Sequence, residues 1–177
     1  MRASALRAAL DRWDREGIWI FSSATLALIF PEDTATLRNA LTAHSRSGLL
    51  TRVARGLYVN PRARSLPDDV LCVLVSHLRP WDANYISLES ALSEAGWISQ
   101  IPSRLTVMTT GRTQTFDTPW GMIEFVHTAR KGTDLSDGVM LDERRRIHVA
   151  TPQRAWRDLK RVGRNLDLVV PLESTDA

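Results

Sequence analysis

At 177 residues and 44% hydrophobic content, the chain is long enough for one ordinary domain or two small ones and apolar enough to bury a core, so it is expected to fold. Its 23 Lys and Arg against 20 Asp and Glu conceal an asymmetry: residues 1–64 hold ten arginines and five acids, residues 65–177 thirteen bases and fifteen acids. The lone Cys72, inside VLCVLV, excludes an intrachain disulfide and reads as an inert buried thiol in a reducing cytosol.

The start, MRASALRAALDRWDRE, is amphipathic without the apolar core of a signal peptide, and no segment approaches the roughly 20 apolar residues of a membrane span. A cytoplasmic protein with no membrane partner is expected. Ser4 is placed to cap a first helix carrying Leu6, Ala9, Leu10 and Trp13 at helical spacing, with Gly17 ending it. IWIF reads as a strand, and Ser22 or Ser23 caps a compact second helix stopped by Pro31. Asp33 is suited to cap a third helix, whose apolar face is Leu37, Ala40 and Leu41. Leu49, Leu50 and Val53 supply a second strand and Leu57, Tyr58 and Val59 a third, bent at Ala54, Arg55 and Gly56.

From Thr34 to Pro67 the chain carries Arg38, Arg46, Arg52, Arg55, Arg62 and Arg64 and no Asp or Glu. A one-signed helix and hairpin, in the order helix, strand, helix, helix, strand, strand, is what a winged helix-turn-helix offers to the DNA backbone. Residues 1–61 are therefore read as a winged helix-turn-helix with double-stranded operator DNA as its partner. Thr34, Thr36, Arg38, Asn39 and Thr42 are the residues expected at base edges, and Ser22, Ser23, Arg46, Arg52 and Arg55 those expected at phosphates. Two half-sites are expected, filled by a homodimer or by adjacent monomers.

Residues 62–67, within NPRARSLP, read as a linker to a mixed α+β domain over 68–177. Asp68 or Asp69 opens a helix using Val70, Leu71, Leu74 and Leu78. YISLESALSEAGW predicts another, capped by Ser87, buried along Leu88, Ala91, Leu92 and Ala95, and closed by Gly96. A period of two in LTVMT, RTQTFD and MIEFVHT predicts three antiparallel strands. IHVA adds a short strand, and Thr151-Pro152 starts a last helix, with Ala155, Trp156, Leu159 and Val162 on one side and Arg154, Arg157, Lys160, Arg161 and Arg164 on others. Arg144, Arg145 and Arg146 read as a solvated hairpin or loop.

Chemistry-bearing patterns are sparse. His44, His77, His127 and His148 are scattered with no ligand spacing, Cys72 and His77 fall on divergent faces of one helix, and no glycine-rich phosphate loop occurs. No catalytic residue, metal or cofactor is expected. Of the tryptophans, Trp13, Trp97 and Trp156 read as core, with Trp81 and Trp120 in turns.

The segment SGLLTRVARGLYVNP, then YISLESALSEAGWI, the strand-rich RLTVMTTGRTQTFDTPWGMIEF and VATPQRAWRDL, taken in order, resemble the AbiEi antitoxins of type IV toxin-antitoxin (abortive infection) systems. The resemblance runs from about Ala5 to Leu159. It implies a repressor that binds inverted repeats in its own promoter through the N-terminal winged helix. It also implies a C-terminal domain that counteracts a cognate nucleotidyltransferase toxin without a stable complex.

Overall fold

The computed structural model describes residues 1–170; the last seven residues of the expected 68–177 domain lie outside them. The chain is mixed α and β and divides into two compact units, Met1–Asp68 and Asp69–Ala177.

In the first unit, helix α1 (Ala3–Arg15) buries Leu6, Ala9, Leu10 and Trp13, a single helical stripe. It starts one residue before Ser4, with Arg2 at the cap position and no side-chain cap, so the expected Ser4 cap is replaced. Its end is as the sequence requires: Gly17 takes φ 76°, the Gly17 amide donates to Asp14 O (3.0 Å) and the Ile18 amide to Trp13 O (2.9 Å). Strand β1 (Ile20–Ser22) leads into α2 (Ser23–Ile29), and Ser22 Oγ caps α2 by accepting from the Thr25 amide at 2.9 Å. Helix α3 (Thr34–Arg46) is capped by Asp33, whose Oδ1 accepts from the Ala35 and Thr36 amides, each at 3.0 Å. Hydrogen bonding to the Thr36 side chain and to these amides holds the Asp33 carboxyl below the usual carboxylate range.

Strands β2 (Thr51–Ala54) and β3 (Leu57–Val59) complete an antiparallel sheet of order β1-β3-β2. Leu6 and Leu26 are fully buried in a core that also holds Trp13, Phe21, Leu37, Leu41, Leu49, Leu50 and Tyr58. Each such leucine stabilises the fold by about 1.5–3 kcal/mol. Trp13 meets Phe21 at 4.8 Å and Phe30 edge-on at 6.4 Å between ring centroids. The buried face of α3 is Leu37, Leu41 and His44 rather than Leu37, Ala40 and Leu41: His44 is accepted inside because its Nε2 bonds Met1 O at 3.1 Å. Leu49 and Leu50 precede β2, and their amides both bond His44 O at the end of α3.

Residues 62–67, expected as a linker, are held within the first unit. The Asp14 carboxylate accepts from the Arg64 amide (2.9 Å), the Ser65 amide (2.9 Å) and the Ser65 hydroxyl (2.7 Å), and Ala63 is buried. The Ser65 hydroxyl, followed by those amides, lowers the Asp14 carboxyl below its usual range. A clamp reaching back to α1 leaves no trace in the local composition of NPRARSLP.

The second unit opens with α4 (Val70–Leu78), β4 (Asn84–Ile86) and α5 (Leu88–Glu94). Next come β5 (Arg104–Thr109), β6 (Gln114–Thr118), β7 (Gly121–His127), a short α6 (Gly132–Ser136) and β8 (Val139–Asp142). It ends with β9 (Ile147–Ala150), α7 (Pro152–Val162) and a 3-10 turn at Leu166–Leu168. The six strands run in the order β6-β7-β5-β4-β9-β8. This sheet is mixed, not antiparallel as expected, because β5 pairs β7 and β4 pairs β9 in parallel. The tight β6–β7 hairpin, with Thr118 opposite Gly121, places β7 between β6 and β5. Alternation reports which face a residue takes and leaves the neighbouring strand open.

YIS, expected at the start of a helix, is instead strand β4 and its exit. Ser87 makes no side-chain cap; its Oγ donates to Asp158 Oδ2 at 2.9 Å. Thr151 caps α7 as expected, by accepting from the Arg154 amide at 3.3 Å, with Pro152 in the first turn and Gly163 closing it at φ 75°.

Arg154, expected on a polar side of α7, is fully buried, and so is Asp158 one turn later. Asp158 Oδ2 accepts from Tyr85 Oη (3.0 Å), Ser87 Oγ (2.9 Å) and Arg154 Nε (3.3 Å); its Oδ1 stands 3.3 Å from Arg130 Nη2. Arg154 also donates to the carbonyls of Asp134 (2.9 Å), Asp137 (2.7 Å) and Leu135 (3.4 Å), fastening α6.

A second buried acid, Glu89, answers Arg164 at 2.8 and 3.0 Å and Asn165 at 2.8 Å. Burial pushes its carboxyl up, but the Arg164 bonds, its own backbone and Asn165 outweigh burial and hold it below the usual glutamic range. A lowered folded value means that stability is contributed above the unfolded value and lost as pH falls through the folded one. Acid titration of Glu89 by carbon NMR is expected to give a midpoint below that of a free glutamate, and Arg164→Gln is expected to move that midpoint up. An unchanged midpoint in the variant would remove Arg164 as the cause.

Candidate nucleic-acid interface

The Asp33 cap fixes where α3 begins, and with it which residues face outward. At about 100° per residue, a core face of Leu37, Leu41 and His44 puts Ala35, Asn39, Thr42 and Arg46 at the centre of the outward arc. Arg38 lies on one margin of that arc and Thr36 on the other, with Thr34 at the N-terminal end. All of these side chains except Ala35 are polar, and all are exposed. Of the five residues expected at base edges, Asn39 and Thr42 share the centre with Arg46, which was expected at phosphates, and the other three lie to either side. Thr42 Oγ1 donates to Arg38 O at 2.9 Å, so its hydrogen is engaged within the helix and its methyl and lone pairs remain. Ala35 and Ala43, missed because only hydrogen-bonding side chains were sought, occupy the same arc and suit a thymine methyl.

The hairpin adds a second basic element. Arg52 is exposed on β2 opposite Tyr58, its Nε donating to Ala54 O at 3.3 Å, and a register shift separates Arg52 from Ala54. Arg55 is exposed at the bend, beside Gly56 at φ 76°. The Ser23 amide donates to Gly56 O at 2.7 Å, which brings the start of α2 and the hairpin bend together. A Cβ on Gly56 would stand 3.0 Å from Ser23 Oγ, a side-chain end that can turn aside, so it is the positive φ that favours glycine there. Ser23 and Arg55 are therefore neighbours, whereas Ser22 is occupied as the α2 cap and by a 2.8 Å bond with Thr25 Oγ1.

Charge distinguishes this unit from the other. All ten arginines of residues 1–64 are exposed, and among the described residues none has a carboxylate within 4.0 Å. Three of its acids are taken locally: Asp14 by backbone amides, Asp33 by the α3 cap and Glu32 by the N-terminal ammonium. In the second unit the basic runs are largely neutralised. Arg144 meets Asp69 at 2.7 Å, Arg145 meets Glu94 at 2.8 Å and Asp142 at 2.6 Å, and Arg157 meets Asp137 at 2.9 Å. Arg164 meets Glu89 at 2.8 Å and Glu124 at 2.7 Å, so of the α7 bases expected on its polar sides only Lys160 and Arg161 stay exposed and unpaired among the described residues.

Cys72 is buried and burial raises its thiol, while His77 on the same helix is exposed. Among the described residues no three His, Cys, Asp or Glu are grouped to hold a metal ion, and no helix is long and apolar enough to cross a membrane. A scan against protein-family models finds none that matches this chain, and a search of curated proteins finds no match.

Proposed function

We propose that Met1–Asp68 is a winged helix-turn-helix that binds double-stranded operator DNA and represses transcription, with α3 in the major groove and the β2–β3 hairpin along the backbone. The observation that carries this reading is the full set of ten exposed arginines with no carboxylate partner among the described residues, on a unit whose α3 turns a polar face outward. An isolated basic face is indifferent to shape, but here Arg38 and Arg46 lie on a helix of about 20 Å and Arg52 and Arg55 on the hairpin that follows it. The topology supports the reading too: three helices and a β1-β3-β2 antiparallel sheet in the chain order α, β, α, α, β, β. Resemblance to the AbiEi antitoxins extends the proposal to an antitoxin of a type IV system, with the second unit acting against a nucleotidyltransferase toxin.

The test is binding to the DNA upstream of its own gene, measured across salt concentrations. With roughly five phosphates neutralised per protomer, log K is expected to fall with log salt at a slope of about −4 to −5. A slope near zero would sink DNA binding and leave α3 as a protein-docking surface.

A further inference from the structure

Of the clefts in the second unit that carry arginines, two differ in how those arginines are answered. On the smaller, of about 280 Å³, Arg164 and Arg104 are neutralised by Glu89 and Glu124. The larger, of about 460 Å³, is walled by the end of α4, the start of β4, α6, β8 and the start of β9. Arg79 and Arg146 stand on its wall, and among the described residues neither has a carboxylate within 4.0 Å.

The triplet Arg144-Arg145-Arg146 makes the contrast sharp, because the first two are paired to acids and only the third lines the cleft. Arg146 also holds φ 54°, a left-handed conformation in which Gly or Asn sits with less strain. An arginine is thus placed there against its backbone preference. Arg79 is fixed over the rings of Phe116 (5.3 Å) and Phe125 (5.1 Å), and its Nη2 donates to Gln114 Oε1 at 2.7 Å. Its Nη1 donates to Leu78 O at 3.4 Å, and its Nε is buried with no acceptor among the described residues. Asp82, the acid on this wall, is packed against Gly111, where a Cβ would come within 2.4 Å of Oδ2.

The remaining wall is part polar, with Ser76, Asn84, Ser136 and His148, and part apolar. Val75, Leu135 and Ile147 contribute hydrocarbon. Tyr85 is tied through its hydroxyl to Asp158 and Arg154, each at 3.0 Å, and Arg154 also fastens α6, so one buried network positions two sides of the cleft.

We propose that this cleft binds a small organic oxyanion, its phosphate or carboxylate group held by Arg79 and Arg146 and its apolar body against Val75, Leu135 and Ile147. The volume lies within the roughly 300–1,000 Å³ of small-molecule sites. The full-length protein is titrated with phenyl phosphate, benzoate and phenol by calorimetry, with amide NMR to locate each probe. Saturable binding of phenyl phosphate or benzoate is expected, with shifts concentrated at residues 79–85 and 135–148 and phenol at least about tenfold weaker. The tighter of the two anions identifies the group recognised. Arg146→Gly suits the local φ and is expected to keep the fold while weakening anion binding about tenfold. Absence of saturable anion binding, phenol binding as well as the anions, or undiminished binding by the variant would each overturn the proposal.

Discussion

Asp158→Ala is expected to destabilise the second unit by about 3–5 kcal/mol, the cost of leaving buried charge without its partner. Arg154 and Asp158 are both fully buried, and Arg130 is nearly so, with 8% of its side chain exposed. Removal of the carboxylate strips the anion from two guanidiniums at once and the acceptor from Tyr85 and Ser87. Among the described residues the network is not fully satisfied: Asp158 Oδ1 and Arg130 Nε have no hydrogen-bond partner, so attraction there is by charge more than by aligned bonds. Asp158→Asn keeps an acceptor for Tyr85 and Ser87 and loses the charge, so its cost is expected to fall between wild type and the alanine variant. Urea unfolding followed by circular dichroism measures both. A loss under about 1 kcal/mol for Asp158→Ala would show that water reaches the guanidiniums and that burial of the pair is not what holds α7 to the sheet.

Arg38→Ala with Asn39→Ala is expected to remove most discrimination between operator and unrelated DNA while leaving the unfolding midpoint close to wild type. Both side chains are exposed on α3 and neither contributes to the core, so the variant tests recognition separately from folding. Each bidentate base contact is worth about 1–3 kcal/mol of discrimination, so loss of two amounts to roughly 2–6 kcal/mol. Non-specific affinity should fall far less, since Arg46, Arg52 and Arg55 remain. Parallel titrations of operator and scrambled duplex give the ratio. Specific binding retained by the double variant would move recognition away from α3 and count against the proposed docking.

Several local features could be read from residue order because they are decided within a few residues. The Asp33 and Thr151 caps and the positive φ of Gly17, Gly56 and Gly96 depend on short-range hydrogen bonds and sterics. The outward arc of α3 was legible from its apolar period, since His44 in place of Ala40 on the buried side turns it only slightly. The Ser87 cap failed for the opposite reason: a residue with a sound local role was claimed by Asp158, 71 positions away. Arg154 was misplaced because an arginine is normally a surface residue, although its i, i+4 spacing from Asp158 beside Ala155 and Leu159 marked the border of the buried stripe.

The sequence by itself determined where many of the helices and strands lie, which residues cap α2, α3 and α7, and that positive charge is concentrated in the first 64 residues. These follow from periodicity, capping and composition, which act over a turn or a strand. Only the tertiary structure decided that β5 lies parallel to β7, that Asp14 holds residues 64 and 65, that Arg154 and Asp158 are interior, and that Arg146 is left unpaired on a cleft while its two neighbours are answered. Most of these depend on groups far apart in the chain, and the strength of a charge or hydrogen bond between them depends on how much water their meeting excludes.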